Sequence, residues 1–509
     1  MDLTQIGMPF TFLSLGIALP GRAGKDGGEI RPAAVSGKFY PESSAVLKLS
    51  IEKFMEDALP AQAKEPLAVV VPHAGYIFSG QICADGYNQA RGRDYETVVI
   101  LGTNHTAPAL RKIALYPGAG FKTPLGVAPV DENAIVALIA ASPDCMADAA
   151  PHAREHSVEV QVPFIQVLFP KAMILPAVVG QVDAALCERF GAALAKVMKG
   201  RRALVVASSD LSHYPSAADA EIVDRTTLEA IPSLDPAVLH AAVQTQTARR
   251  IRGLDTSACG EAPIMAAMAA AKAMGATGGR VVSYANSGDL PIGERDRVVG
   301  YGAVVLGFGL KPAKAAAPAA KTTAAEALTE QDKKGLLALA RETITRFLTV
   351  QMVPLPRGFS PAAMESRGVF VTLKKRGCLR GCIGHMMPDR PLAPLVGMMA
   401  LQAAFEDPRF SRLTLPEVPE LEIEISVLTP MKPVSGPGDI VVGRDGVLLQ
   451  KGGCSAVFLP QVAPEQGWGL EEMLDNLSCK AGLPASAWRE GACFSTFQAE
   501  VFGEGHTRP

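Results

Sequence analysis

The sequence predicts two folded units, an α/β domain with a mostly parallel sheet followed by an α+β domain. Three observations carry that expectation. Short apolar runs alternate with helical stretches through the first three fifths of the chain. A segment of Ala, Pro, Lys and Thr then interrupts the pattern, and beyond it strand-like runs alternate apolar and polar residues. The length, 509 residues, is more than one hydrophobic core ordinarily serves.

In chain order, residues 1–28 come first. Their apolar stretch "MPFTFLSLGIALPGRAG" has no basic start and is too short to span a bilayer, so it reads as a disordered leader or an extended start rather than a signal peptide. Residues 29–310 form the first domain. Its apolar runs 67–71, 97–101, 173–179, 203–207, 281–285 and 301–306 read as strands, and 132–142, 184–199, 217–231 and 261–274 as helices. "KPAKAAAPAAKTTAAEA", residues 311–327, cannot bury enough apolar surface to fold and reads as a linker. Residues 328–509 form the second domain, with helices at 330–348, 390–404 and 469–481. Its strands are "GVFVTLKK", "LEIEISVL" and "DGVLLQKGGCSAVFLP", whose alternation suits antiparallel or mixed pairing with one solvated face.

Composition excludes several classes. Hydrophobic residues make up 48% and charged residues 20%, which fits a globular and not a disordered chain. Lys plus Arg is 49 against 51 for Asp plus Glu, so nucleic-acid binding gains no electrostatic support. The nine cysteines are scattered without paired CxxC motifs, which argues against a disulfide framework and for a reducing, cytoplasmic compartment. No later run is long and uncharged enough for a membrane span, and no membrane partner is expected.

Three strand-like runs end in the same unusual way. "VVVPHAGY" ends its apolar run at His73, "TVVILGTNH" at His105, and "RALVVASSDLSH" at Asp210 and His213. In open α/β sheets, sites form outside the carboxyl ends of strands, so these groups can converge from distant positions. Imidazole suits Zn, Cu, Fe and Ni, and a thiolate or carboxylate completes such a site. In "DTSACGEAPIM", Cys259 precedes an Ala- and Met-rich helix whose N-terminus would favour its thiolate, and Glu261 is the carboxylate alternative. Asp210 also suits the N-cap of a helix. "HAREHSVEVQVPF" places His152 with His156, and Glu155 with Glu159, four apart; a metal-binding helix face and a solvated helix start both remain open. In "RGCLRGCIGHM", Cys378, Cys382 and His385 could suggest a metal, but Gly381 and Gly384 favour a tightly packed structural turn with Cys382 buried. In "FEDPRF", Asp407 and Arg409 suit an ion pair on a turn or part of a pocket.

Seven segments in order, "RPAAVSGKFYP", "VPHAGYIFSG", "LGTNHTA", "EHSVEVQVPF", "SSDLSHY", "DTSACGEAPI" and "GYGAVVL", closely resemble the Memo family. The resemblance implies a fold similar to class III extradiol (LigB-type) non-heme iron dioxygenases, which use a carboxylate as third metal ligand. It implies a metal site on His73, His105 and Cys259, with Asp210 and His213 lining the pocket and His213 at the dioxygenase base position. "LRGCIG", "MALQAAFEDPRF", "LEIEISVLTP", "GRDGVLLQKGGCSAVFLPQV" and "LDNLSCKAGL" are similar to the AMMECR-type domain, which implies a two-subdomain α+β fold. Together the halves resemble a fusion of the B and A components of the AmmeMemoRadiSam system, typically encoded beside a radical SAM protein. This chain lacks the CxxxCxxC motif of such enzymes, so a radical SAM protein is an expected partner. The expected cofactor is a divalent or redox-active metal, Fe(II) first, with Cu or Zn as alternatives. The expected function is dioxygenase-like redox chemistry on a small-molecule or peptide substrate, with His213 and Asp210 as the catalytic pair. The alternatives are a binding module for a peptide or modified side chain, and a metal carrier.

Overall fold

The computed structural model describes residues 28–310 and 327–504. The expected leader (residue 28 apart) and the expected linker (residue 327 apart) lie outside the described residues. No helix among the described residues is long and apolar enough to cross a membrane.

The first domain begins with β1 (Ile30–Arg31), α1 (Ser44–Glu56), β2 (Glu65–Val71), α2 (Tyr76–Asn88) and β3 (Thr97–Thr103). It continues through β4 (Ile113–Leu115), β5 (Gly120–Thr123), β6 (Gly126–Pro129), α3 (Glu132–Ala141) and β7 (Cys145–Ala147). Next come α4 (His156–Glu159), α5 (Val162–Leu168), β8 (Met173–Val179), α6 (Ala184–Val197) and β9 (Ala203–Ser208). It closes with α7 (Ala217–Ala230), α8 (Pro236–Ala248), α9 (Glu261–Ala273), β10 (Gly278–Asn286) and β11 (Gly300–Phe308).

The main sheet has eight strands in the order β10-β11-β2-β9-β3-β8-β4-β7. Strands β2, β9, β3 and β8 pair in parallel, while β10 and β11 extend the β2 edge antiparallel and β4 runs antiparallel to β8. The parallel strands are uniformly apolar because helices cover both faces: Val98 to Leu101 are fully buried. Helix α9 is apolar all round for the same reason, with every residue from Pro263 to Ala271 buried. It packs on α6 at Gly191, where a Cβ would sit 2.6 Å from the Ala269 carbonyl carbon, so only glycine admits this approach. The strand order sets β2, β9 and β3 side by side. Residues just past Val71, Ser208 and Thr103 therefore share one edge of the sheet.

A buried ion pair fixes the segment leading into that edge. Arg31 Nη1 meets Glu159 Oε2 at 2.5 Å, and Arg31 also donates to the carbonyls of His152 (2.6 Å) and Glu155 (2.7 Å). Glu159 accepts further bonds from the Ala34 and Val35 amides and the Tyr40 hydroxyl. The carboxylate is thus fully satisfied, and α4 is held in place against the sheet edge.

The second domain contains α10 (Glu330–Val350), β12 (Val369–Lys375), β13 (Cys378–His385), α11 (Leu392–Phe405), β14 (Leu421–Leu428) and β15 (Lys432–Val434). Then follow β16 (Gly446–Lys451), β17 (Cys454–Phe458), α12 (Val462–Gln466), α13 (Leu470–Lys480), β18 (Cys493–Phe497) and β19 (Ala499–Gly503). They form two antiparallel sheets, β13-β12-β14-β19 and β15-β18-β16-β17, each with its own core. In β14 the period of two is plain: Leu421, Ile423, Ile425 and Val427 point inward.

The two domains share an apolar seam. Leu290, Val353 and Leu401 pack with Phe78, Phe347 and Phe405. The chain leaving α10 sends Val350 and Met352 into the first domain's core, and Arg357 pairs with the buried Asp85.

Candidate metal centre

His73 follows β2 and is buried, with its amide donating to Asp210 Oδ1 at 2.8 Å. Its Nδ1 lies 3.0 Å from Ser208 Oγ at the end of β9. That hydroxyl gives its one proton to the Ser157 carbonyl (2.6 Å) and accepts from Gln161 Nε2 (2.9 Å). Its remaining lone pair can only accept, so His73 carries its proton on Nδ1 and presents a bare Nε2.

His105 follows β3 and reaches the same tautomer by another route. Its Nδ1 lies 2.9 Å from Glu155 Oε1, and an ionised carboxylate can only accept. Burial works against ionisation of Glu155, but bonds from His105 and the Ser157 amide, with His156 nearby, hold its pKa down at about 2. A second bond from the His105 amide, 2.7 Å, locks the loop.

Cys259 supplies the third donor. Its Sγ lies 3.3 Å from His73 Nε2, with the Thr103 and Ser209 hydroxyls at 4.0 Å. Gly260 makes this approach possible, since a Cβ there would fall 2.5 Å from Ser209 Cβ and 2.6 Å from Thr103 Oγ1. The ligand atoms of His73, His105 and Cys259 all lie within 4.8 Å of one another. The same holds for His105, Glu155 and His156, and for Asp210, His213 and Cys259, so seven side chains make one overlapping donor cluster. The ring of His156 stacks on His105 at 4.6 Å and meets His73 edge-on at 5.3 Å.

Electrostatics keeps this cluster uncharged where donors are needed. Burial, then the neighbouring His156 and His105, push the His73 pKa well below the usual imidazole value. Burial also lowers His213 and raises Asp210. Burial and the Asp210 charge push the Cys259 thiol up. This reverses the sequence expectation of a thiolate favoured by a helix N-terminus. Cys259 lies outside α9, before the Gly260 N-cap, and desolvation outweighs the helix dipole. The donor set fits a cation: two imidazoles whose Nδ1 atoms are committed to other partners, and a thiol that a cation would convert to a thiolate.

Other expectations are corrected by the fold. No helix starts at Asp210; α7 begins at Ala217 with Ser216 as its cap. Asp210 instead accepts from the amides of His73 and Ala74, and among the described residues it makes no hydrogen bond to the His213 ring. The backbone of His213 bridges Thr256 and Val299, and its buried Nδ1 has no partner. His152 and His156 share no helix face, because a short turn, Ala150–His152, ends before α4 begins. His152 packs against Tyr116 and Phe121, with Nε2 3.0 Å from the Ala114 carbonyl, while His156 faces the centre. Glu261 pairs with His240 at 2.7 Å and belongs to none of the donor groups. In the second domain Cys382 is part-exposed rather than buried, and Cys378 is exposed. His385 pairs with Asp389 at 2.7 Å, and these residues form no donor group among the described residues. Asp407 and Arg409 do form an ion pair, at 2.7 Å.

Ser208 and Gln161, which orient His73, are not recognisable as site residues from sequence. Their signal was a polar residue inside an apolar run, as Gln161 is in "VEVQVPF".

The Memo-like protein family matches residues 31–305 of this chain, and the AMMECR1 family matches residues 337–502. A MEMO1 family protein of Methanosarcina mazei is 34% identical over 281 residues, 55% of this chain and 99% of that protein. A MEMO1 family protein of Aquifex aeolicus is 38% identical over 280 residues, 53% of this chain and 97% of that protein. A Methanosarcina barkeri protein is 39% identical over 186 residues, 35% of this chain and 92% of that protein. The crystal structure of an uncharacterized Pyrococcus horikoshii protein is 40% identical and covers 34% of this chain and 92% of that chain, with a TM-score of 0.33.

Proposed function

Because this chain belongs to the Memo family and carries an AMMECR1 domain after it, we propose that its His73–His105–Cys259 centre holds a divalent or redox-active metal and acts on a small or tethered substrate. Fe(II) is the first choice, with Cu or Zn as alternatives. The single observation that carries this reading is that Nδ1 of both histidines is committed to another partner, while the ligand atoms of His73, His105 and Cys259 lie within 4.8 Å of one another. When bound, such a metal supplies Lewis acidity and, if redox-active, electron transfer.

The chain's own residues supply the rest. His213 is part-buried with Nδ1 unpartnered, and desolvation favours its neutral form, which suits it to take a proton from a bound substrate. Asp210 fixes the His73 main chain and leaves Oδ2 3.9 Å from His73 Nε2, on the pocket side. The fusion itself favours joint action with a radical SAM protein.

The test is metal analysis of full-length protein purified without oxygen, followed by turnover assays with the neighbouring radical SAM protein. One metal per chain, lost in His73→Ala, His105→Ala and Cys259→Ala but kept in His213→Ala, is the expected result. Absence of bound metal in the wild type, with normal folding, would favour the peptide-binding reading. A metal bound without turnover, and released to an acceptor protein, would favour a carrier.

A further inference from the structure

One loop of the first domain touches both the second domain and the His213 end of the donor cluster. It is residues 287–299, between β10 and β11. On its outer side, Leu290 packs with Val353 and Leu401 in the seam. Pro291 sits directly on α11 at Gly397, where a Cβ would lie 2.6 Å from Pro291 Cγ. Arg390, just before α11, donates from Nη1 to the Gly293 carbonyl at 2.8 Å and pairs through Nη2 with Glu294. Glu294 is mostly exposed, so that pair holds little by itself, and the carbonyl bond and the Pro291 contact carry the attachment.

The loop is tied to itself. The Ser287 amide donates to the Val299 carbonyl at 2.9 Å, and the Val299 amide donates to the Ser287 hydroxyl at 3.1 Å. Gly293 leaves no room for a Cβ beside the Ser287 carbonyl, and Arg295 Nη1 bonds Asp289 at 3.1 Å and the Gly288 carbonyl at 3.3 Å. On its inner side the loop pairs with the segment that carries His213. The Leu211, Tyr214 and Ala217 amides donate to the carbonyls of Gly300 (2.8 Å), Val298 (2.7 Å) and Arg295 (2.8 Å). The Val298 and Gly300 amides return bonds to the carbonyls of Pro215 (2.9 Å) and Ser212 (2.8 Å). His213 lies in the middle, bridged to Val299 on one side and to Thr256 on the other. Tyr214 follows with φ of 73°, in the left-handed region that a tyrosine adopts only where its surroundings hold it. Arg297 of the loop covers the Tyr214 ring, with Cζ 4.0 Å from its centre.

We infer that the second domain sets the position of His213 in the first, with Arg390 and the Pro291–Gly397 contact as the positioning elements and residues 287–299 as the link. A shift of α11 then moves a group at the edge of the metal centre, and the two domains work as one unit. That His213 takes a proton from a substrate rests on the proposed function; its dependence on α11 does not.

The test uses the full chain, without metal or substrate, as wild type, Arg390→Ala, Gly397→Ala, and Gly397→Ala combined with Pro291→Ala. Gly397→Ala adds a methyl group that favours the helix itself but strikes Pro291 across the seam, and Pro291→Ala removes the Cγ that it strikes. Amide hydrogen exchange read by mass spectrometry should rise about fivefold or more over residues 211–217 in both single variants, while β9 and β3 keep their wild-type rates. Diethyl pyrocarbonate, which acylates neutral imidazole, should modify His213 about threefold or more faster relative to the exposed His240, because the buried Nδ1 becomes reachable. Pro291→Ala should restore both readings in the Gly397→Ala background. Arg390→Lys, able to keep one of the two contacts, should fall between Arg390→Ala and the wild type. Arg390→Ala carries the test alone if Gly397→Ala fails to fold. Unchanged exchange and labelling in the folded single variants would overturn the link. An equal rise in β9 and β3, or no restoration by Pro291→Ala, would overturn it too. No metal or turnover enters these readings, so their failure would leave the proposed function standing, and its failure would leave the link standing.

Discussion

His73 Nε2 and Cys259 Sγ lie 3.3 Å apart across 186 residues of sequence. Because the Nδ1 proton of His73 is committed to Ser208, Nε2 can accept the thiol proton, which the Asp210 carbonyl at 3.6 Å can also accept. A cation would take that proton's place. Metal uptake should therefore release the Cys259 thiol proton, about one per ion. Isothermal titration in buffers of different ionisation enthalpy would measure this, with Cys259→Ser as the control. Uptake with no proton released would mean that the thiol is not a ligand.

Glu155 fixes His105 rather than binding the metal in the proposed arrangement. Glu155→Gln keeps an acceptor for the His105 Nδ1 proton but removes the negative charge that strengthens Nε2 as a donor. Metal affinity, measured by competition with a chelator, should fall by about 10- to 100-fold. An unchanged affinity, with the fold retained, would show that the carboxylate serves only to cap α4.

His152 gives a pH signature unrelated to the centre. Burial lowers its pKa from 6.5 to about 4. Below pH 6.5 the unfolded chain takes up a proton that the folded chain refuses, so stability falls as the pH drops from 6.5 to about 4 and this contribution is then constant. The shift corresponds to about 3 kcal/mol. Urea unfolding across that window should show a shallower fall in His152→Gln than in the wild type, and parallel curves would refute the assignment.

The seam between domains predicts how a cut chain behaves. Protease cleavage within residues 311–327 should yield two folded fragments. They should stay together on gel filtration at micromolar concentration, held by Phe78, Phe347 and Phe405 and by the Arg357–Asp85 pair. Arg357→Ala leaves Asp85 buried without its cation and should loosen the pair by about 3 to 5 kcal/mol. Fragments that elute apart in the wild type would count against the interface.

Local patterns in the sequence determined much of this molecule. The run "MILPAVV" is β8 and "LEIEISVL" is β14, because strand identity follows from apolar continuity or a period of two. Helix α2 was illegible for a matching reason: "YIFSGQICADGYN" is buried nearly all round, so it shows no amphipathic period, and its glycines mimic a turn. The three histidine-bearing strand ends were visible as local events. Their convergence was not, because it depends on β2, β9 and β3 lying side by side, a matter of sheet order. Tertiary structure also separated His152 from His156, turning one into the core and the other toward the centre. It decided the protonation states as well. Cys259 reads as a helix-activated thiolate in sequence, yet in the fold it is a part-buried thiol whose pKa is pushed up, because desolvation is set by everything packed around a group rather than by its chain neighbours.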